Sequence, residues 1–185
     1  MRRTNKIKRQ GFTLVELLIV IVVIGILSAM MMLSSTEAVS SAKANNIISN
    51  LRNLKTAALA FYADNLANID DSTYKDQSGK KYTGKKPTDS DANWMDKVVG
   101  YMSNGSSENN DLKNYGIKFV NGENDGKGWW VYYSDVDTKV QTKLAGRASS
   151  VGLYGGGSVN DIKKTTAFYS TGGYVGMWVV DPVKP

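Results

Sequence analysis

The pattern of apolar and polar positions divides the first third of the chain into two kinds of helix. Residues 12–33 are apolar at nearly every position, and roughly 20 residues at 1.5 Å each are enough to cross the hydrocarbon core of a bilayer. Farther along, apolar residues recur at three- and four-residue steps, which places them on one helical face. This stripe consists of Ala44, Ile47, Ile48, Leu51, Leu54, Ala58 and Phe61. The sequence therefore predicts one continuous helix over residues 12–65, roughly 80 Å long, apolar all round in its first half and amphipathic in its second.

The region that follows the helix is rich in Ser, Lys, Asp, Asn and Gly, and it predicts a connection that runs over the surface. One short helix is expected inside it, at residues 94–102, because its apolar residues follow helical spacing and Asn93 is a suitable N-cap. We expect the apolar side chains of this helix to pin the connection to the core rather than to form a ligand site.

Strand patterns dominate from residue 116 onward. Short segments rich in Val, Tyr, Trp and Thr, bounded by Gly, Asn or Asp, occur at residues 116–120, 129–134, 150–154, 165–170 and 174–180. They predict an antiparallel sheet of four or five strands, with a short helix near residues 137–145 that ends at Gly146. The predicted fold class is α+β, a long N-terminal helix packed against a C-terminal antiparallel sheet.

The charge pattern at the N-terminus marks a boundary between residues 11 and 12, where a basic segment meets the apolar run. Residues 1–11 contain five Arg or Lys and no acid, so the N-terminus is expected in the cytoplasm and the C-terminus outside. We therefore predict a leader over residues 1–11, the long helix over 12–65 with its membrane and assembly segment at 12–33, and a globular domain over 66–185. Within that domain, 66–115 is the connecting loop and 116–185 contains the sheet.

Glu16 is anomalous because it places a carboxylate inside the apolar run. A charge within a membrane is costly, so it is functional by default and needs a partner. Between Glu16 and Lys43 there is no basic side chain. A cut between Gly11 and Phe12 would create an α-ammonium group at the right depth, and the helix dipole also favours a carboxylate in the first turn. The hypothesis is that Glu16 of one copy meets the Phe12 amine of another copy when many such helices bundle.

Residues 9–16, Arg-Gln-Gly-Phe-Thr-Leu-Val-Glu, followed by the aliphatic run, closely resemble the class III signal of type IV prepilins and of the pseudopilins of type II secretion. The resemblance covers about the first third of the chain. It implies the pilin fold, cleavage after Gly11 by prepilin peptidase, N-methylation of Phe12, and guidance of filament assembly by Glu16. It also implies, as partners, an assembly platform with a cytoplasmic ATPase, membrane lipid before assembly, and further copies of the chain.

Gly25 matches a glycine of these pilins and, as a poor helix former, is expected to let the helix loosen locally. The proline that often follows it two turns later is replaced by Leu33, so no sharp kink is expected. Two other interpretations explain less. An ordinary secretory signal has a shorter apolar region and no acid, and residues 28–30 make a poor cleavage site for it. A plain membrane anchor explains neither the Gly11-Phe12 junction nor Glu16.

Composition argues against catalysis and against nucleic acid as the main partner. The chain has no His and no Cys, so the usual general base, thiolate nucleophile and commonest zinc ligands are missing. The net charge is +6, but after residue 11 only 18 basic and 17 acidic residues remain. Because phosphate neutralisation supplies most of the affinity for nucleic acid, strong binding is not expected. An anchored carbohydrate-acting enzyme is kept as the contrasting class.

Two features of the C-terminal half allow further hypotheses. The oxygen-rich stretch with Asn121, Glu123 and Asp125 is a weak calcium candidate, as some related pseudopilins bind calcium, but turn chemistry explains it better and no cofactor is expected. In the strand at 129–134, alternate residues face opposite sides, so Trp129 and Trp130 cannot share a face. We expect one face to be core and the other to be a surface for subunit packing, adhesion or DNA uptake, in that order.

The sequence as a whole predicts the major pilin of an extracellular type IV pilus, serving adhesion or motility. It would be made as a single-pass precursor in the cytoplasmic membrane and then polymerised through its N-terminal helix. The alternatives are a pseudopilin of a type II secretion system and a minor or DNA-uptake pilin.

Overall fold

A computed structural model describes residues 11–65, 78–102, 110–120, 127–164 and 167–180, with the backbone alone at 33, 34 and 110. Its contacts divide the chain into two units, residues 1–39 and residues 40–185, which are described separately below.

The long helix is present as predicted. Helix α1 spans Leu14–Asp64 and passes Gly25 without interruption. In the N-terminal unit, every described residue of α1 up to position 32 is exposed. The polar residues 34–36 do not end the helix, because they include neither Gly nor Pro and leave the backbone hydrogen bonds intact.

In the C-terminal unit, the apolar stripe of α1 forms the centre of the hydrophobic core. All seven predicted members of the stripe are buried, with at most 7% of each residue exposed. The ring of Phe61 lies 5.8 Å from that of Trp94 and 5.9 Å from that of Trp129, centroid to centroid, and so joins α1 to two other elements. The amphipathic half of the helix therefore packs on the sheet of its own chain.

The sheet has four antiparallel strands in the order β1-β2-β4-β3. Strands β1 (Tyr115–Val120), β2 (Gly128–Ser134) and β4 (Tyr174–Val180) confirm three of the predicted segments. Val131 at the centre pairs with Ile117 on one side and with Met177 on the other. The predicted α+β class is confirmed, and the arrangement is consistent with a pilin fold.

The prediction of a strand at residues 150–154 was wrong. The chain instead forms a short helix at Ala148–Val151, which ends at Gly152 in a left-handed conformation with φ 74°, and strand β3 is Tyr154–Gly156. Gly155 in β3 has a φ of 151°, and a Cβ there would lie 2.1 Å from the carbonyl oxygen of Tyr174. Glycine is required at this position because the two strand backbones approach so closely.

The prediction of a strand at 165–170 was also wrong for the part that the structure describes. Residues 165 and 166 lie outside the described residues, and residues 167–170 have no strand conformation. Tyr169 is nevertheless fixed, because its backbone N–H donates to the oxygen of Leu153 at 2.8 Å and its hydroxyl donates to Gly172 at 2.6 Å.

At strand β2 both faces of the sheet are buried, which corrects the expectation that one aromatic face of this strand is exposed. Trp129 and Val131 belong to the main core with α1, as one alternating set should. Trp130 and Tyr132, on the opposite face, are also buried and pack against Ile162 in a second cluster. A turn of 3₁₀ helix at Val159–Asp161 covers this face. The Nζ of Lys118 holds the cover in place by donating to the carbonyl oxygens of Val159 at 2.8 Å and Ile162 at 3.3 Å.

Two further α-helices in the part of the chain that the structure describes confirm their predictions. Helix α2 (Trp94–Gly100) is capped by Asn93, and its apolar residues Met95, Val98 and Val99 are buried. Helix α3 (Thr138–Ala145) is capped by Asp137 and ends at Gly146. The short helix at Ala148–Val151 is α4.

The connection before β1 is more than a surface loop. The backbone N–H of Gly79 donates to Ile117 at 2.7 Å and that of Tyr82 donates to Tyr115 at 2.9 Å, so this segment covers the free edge of β1. Tyr82 is buried there, as is Leu112 just before the strand. Covering an edge strand prevents its unpaired backbone groups from joining another sheet.

Candidate functional site

The start of α1 is built by a reciprocal pair of side chains, Thr13 and Glu16. The backbone N–H of Glu16 donates to the hydroxyl oxygen of Thr13 at 3.2 Å, and the backbone N–H of Thr13 donates to Oε2 of Glu16 at 2.8 Å. The Thr13 hydroxyl also donates to the same Oε2, at 2.8 Å. This is a capping box, in which the backbone N–H of each residue donates to the side chain of the other, so that two backbone donors at the helix start are satisfied.

The capping box leaves part of the Glu16 carboxylate available. Both of its hydrogen bonds are accepted by Oε2, and among the described residues neither a donor to Oε1 nor an ion-pair partner of Glu16 is found. The helix start provides a favourable environment for the charge through the dipole, but it does not neutralise the charge. In an apolar setting this carboxylate would still require a cation from another molecule or from a newly formed chain end.

The side chains around Glu16 form a continuous exposed apolar surface. Phe12 is 88% exposed, and even Val23, the least exposed of the large apolar residues of this segment, is 48% exposed. By length and composition, α1 is able to cross a membrane, and no other helix of the described residues passes the same test. Exposed apolar surface of this extent marks a membrane or protein contact.

The predicted cleavage site lies just before the helix. Gly11, Phe12 and Thr13 have no helical conformation, and α1 begins only at Leu14. Gly11 and Phe12 are both exposed. The peptide bond between them is thus in accessible, non-helical backbone, the form in which a bond can enter the cleft of a peptidase.

Of the other predicted site residues, the structure describes Gly25 but not the calcium candidates. Gly25 lies in the middle of the exposed helix, where a Cβ would meet nothing within 4 Å. The weak calcium candidates Asn121, Glu123 and Asp125 lie outside the described residues. Among the residues that the structure does describe, no group of three or more His, Cys, Asp or Glu side chains could hold a metal ion.

Thr13 is the functional residue that the sequence analysis missed. Its signal was readable, because a Thr followed three residues later by Glu, directly before an apolar run, is the sequence pattern of a capping box. The structure assigns Glu16 a second role, as the residue that fixes where α1 begins.

A comparison with protein families identifies this segment. Residues 6–32 match the family model described as the prokaryotic N-terminal methylation motif. No curated protein and no solved structure gives a significant match to the chain. The chain therefore carries the prepilin motif that type IV pilins and pseudopilins share.

The motif supports conclusions about the class, the processing and the location of the protein. Proteins that carry it are structural rather than catalytic, and the motif implies processing by prepilin peptidase and a role in pilus or secretion assembly. Together with the exposed apolar helix, it fits a precursor anchored in a membrane.

Proposed function

We propose that this protein is the major subunit of an extracellular type IV pilus. The observation that carries the proposal is the exposed apolar surface of residues 12–32, which begins at the prepilin motif and contains a carboxylate without a cationic partner among the described residues. Such a surface would be covered by lipid before assembly and by the same surface of other copies after assembly. The work of the protein is then assembly and not catalysis.

Processing would begin at the bond between Gly11 and Phe12. Hydrolysis there removes the basic leader and leaves a new α-amine on Phe12, which is then methylated. The amine stays cationic after a single methylation, so it remains able to pair with a carboxylate. The leader contains five Arg or Lys, so its removal also releases the chain from the cytoplasmic side of the membrane.

Assembly would pair the Phe12 amine of one copy with Glu16 of another. Oε2 of Glu16 is occupied by its own helix start, and Oε1 is the atom on which we place the incoming amine. Because both charges would lie in an apolar bundle, a wrong axial register leaves a buried charge unpaired, which is strongly destabilising. The pair would therefore select one register, while the apolar side chains supply most of the binding energy.

The alternative function is a pseudopilin of a type II secretion system, or a minor or DNA-uptake pilin, because these proteins share the motif. They differ from a major pilin in where the processed chain accumulates. A major pilin is abundant in filaments that can be sheared from the cell surface, whereas a pseudopilin stays with the membrane.

The test is a comparison of the sheared fraction and the membrane fraction for two variants. Gly11→Leu places a bulky side chain beside the scissile bond and should leave an uncut chain in the membrane and none in the sheared fraction. Gln10→Ala, one position farther from the bond, is the matched control and should be processed and sheared normally. Export of the Gly11→Leu chain in filaments would refute the proposal, and a processed parent chain confined to the membrane would favour the pseudopilin.

A further inference from the structure

The C-terminal unit contains an acidic cleft. Its volume is about 620 Å³, and it lies between α1, the start of β1, the end of β2 and the start of α3. Three carboxylates line it, and the one basic residue among its lining residues is Lys43. The carboxylates are those of Asp111, Asp135 and Asp137. The formal charge of the cleft is therefore −2.

A basic patch lies on another part of the same unit. Lys55 of α1 and Lys164 both approach the ring of Trp178, with Nζ at 5.9 Å and 5.2 Å from the ring centroid. A shallow pocket of about 180 Å³ contains these three residues together with Tyr154. Two ammonium groups beside one aromatic ring give the patch a formal charge of +2, and the ring attracts both of them.

The cleft and the patch flank opposite sides of the buried stripe of α1. Asn50 lines the cleft and Lys55 lies in the patch, and at about 100° per residue the two are about 140° apart around the helix. Leu51 and Leu54, which are fully buried, lie between them. The sheet shows the same separation of the two surfaces. The cleft is lined by β1 and β2, whereas the patch is lined by β4 and the opposite edge strand β3.

We propose that the cleft of one copy receives the Lys55 and Lys164 patch of the next copy. The inference rests on the proposed assembly function and identifies the surfaces of the globular unit that would meet in the filament. Formal charges of −2 and +2 on different sides of one unit are complementary between copies. A contact between two different patches is heterologous, and repeated without closure it generates a helical filament.

The absence of cysteine from the chain allows a clean cross-linking test. Asn46, an exposed helical residue that lines the cleft, and Lys164 would both be changed to cysteine in one chain. Sheared filaments treated with a short bismaleimide should then give a ladder of covalent multimers. Either single variant alone should give no ladder. A chain with Asn46→Cys and Ser90→Cys, where Ser90 is an exposed turn residue in neither surface, is the matched control and should also give none.

The outcomes separate this inference from the proposed function. If the double variant forms filaments but gives no ladder, and both of its cysteines react with a bulky maleimide in the filament, the contact is refuted while the pilin proposal stands. If the parent chain forms no filaments, the proposed function fails. If the double variant alone fails to assemble, maleimide labelling of the single cysteine in each single variant tests the contact instead. The proposed contact requires that both cysteines be protected in filaments relative to detergent-solubilised chains, and full labelling of either one refutes it.

A charge reversal provides a second measurement. Lys164→Glu should reduce the yield of sheared filaments several-fold, because it places a carboxylate against an acidic cleft, whereas Lys164→Arg should restore the parent yield. Lys86→Glu, at an exposed lysine outside the patch, makes the same change in net charge and should leave the yield unchanged. Equal losses for Lys164→Glu and Lys86→Glu would show that only net charge matters and would overturn the contact. Binding of a small organic cation in the cleft, with no effect of Lys164→Glu, would also overturn it.

Discussion

The two halves of α1 contain the same kinds of apolar residue but have opposite environments. Leu18 in the first half is 53% exposed, whereas Leu51 and Leu54 in the second half are fully buried against the sheet. Burying one such side chain contributes about 1.5–3 kcal/mol. The second half gains this burial energy by packing on the sheet of its own chain. The first half keeps it available for lipid or for other copies, which is why we assign stability to one half and assembly to the other.

The largest effect is expected from removing the charge of Glu16. Glu16→Gln keeps a side chain that can complete the capping box but cannot pair with a cation, so filaments should be abolished or strongly reduced while membrane insertion continues. Glu16→Ala should have the same effect on filaments and should also remove the half of the capping box that the Glu16 carboxylate provides, whereas the backbone N–H at position 16 can still donate to the Thr13 hydroxyl. Filament yield by shearing and membrane content by fractionation measure the two quantities.

Thr13→Ala is the matched control for the capping box. It removes the hydroxyl that pairs with Glu16 but leaves the carboxylate, so it should cost about 0.5–2 kcal/mol at the helix start and reduce filament yield only slightly. A loss as severe as that of Glu16→Gln would mean that Glu16 acts by capping its own helix. Normal yield for Glu16→Gln would refute the pairing with the Phe12 amine.

A matched pair of leucine truncations tests the division of roles between the two halves. Leu51→Ala leaves a cavity in the core and should lower the free energy of unfolding of the globular unit by about 2–5 kcal/mol. Leu18→Ala removes the same atoms from an exposed position and should leave that free energy unchanged. Thermal unfolding of the full chain in micelles, followed by the near-ultraviolet circular dichroism of its four tryptophans, reports on the globular unit alone. Equal destabilisation by both variants would contradict the comparison.

Alkaline pH should unfold the globular unit, because buried tyrosines resist ionisation. Burial raises the pKa of Tyr132 to about 12, with a smaller contribution from nearby Tyr174. A tyrosine with a folded-state pKa above its ordinary value of about 10 favours the fold below pH 10, and this contribution is lost as the pH rises towards 12. The melting temperature should therefore fall between pH 10 and 12.

Tyr132→Phe separates this effect from general alkaline damage. The variant loses the hydrogen bond from the Tyr132 hydroxyl to Gly79 but no longer titrates, so its melting temperature should depend less steeply on pH above 10. Tyr154→Phe, at a partly exposed ring, is the control for loss of a hydroxyl. A melting temperature that stays constant up to pH 12 in the parent chain would contradict the prediction.

The smallest effect is expected at Gly25. A Cβ there meets no other atom, so Gly25→Ala should stabilise the helix locally by about 1 kcal/mol and leave the melting of the globular unit unchanged. Amide exchange near residue 25 in micelles should slow about fivefold, as this free energy implies. Ala29→Gly, one turn later, should have the opposite effect. Unchanged exchange in both variants would show that Gly25 is not a point of local loosening.

Much of the fold could be predicted because it depends on local patterns. The stripe of α1 follows a helical period, and β2 is a run of aromatic and β-branched residues bounded by turn residues, so both were found within one or two residues of their ends. The cap Asn93 was found because capping needs a short polar side chain at a fixed offset, and the end of α3 was found because Gly146 is a helix stop.

The errors come from contacts between residues far apart in sequence. Alternation along β2 shows that Trp130 faces away from Trp129, so the outer face of β2 was expected at the surface. Alternation does not show which other segment of the chain covers that face. The cover around Ile162 comes from a loop without regular spacing. Strand β3 was misplaced because it contains two glycines, and in a sequence glycines usually indicate a turn. In the structure, Gly155 instead allows the backbones of β3 and β4 to approach closely.

The intact mass and N-terminal sequence of this protein in the fraction sheared from cell surfaces decide whether it is a processed pilin in an external filament. We expect a chain that begins at Phe12 and is heavier by one methyl group. An uncut chain beginning at Met1, or a cut beyond Leu27, would contradict it.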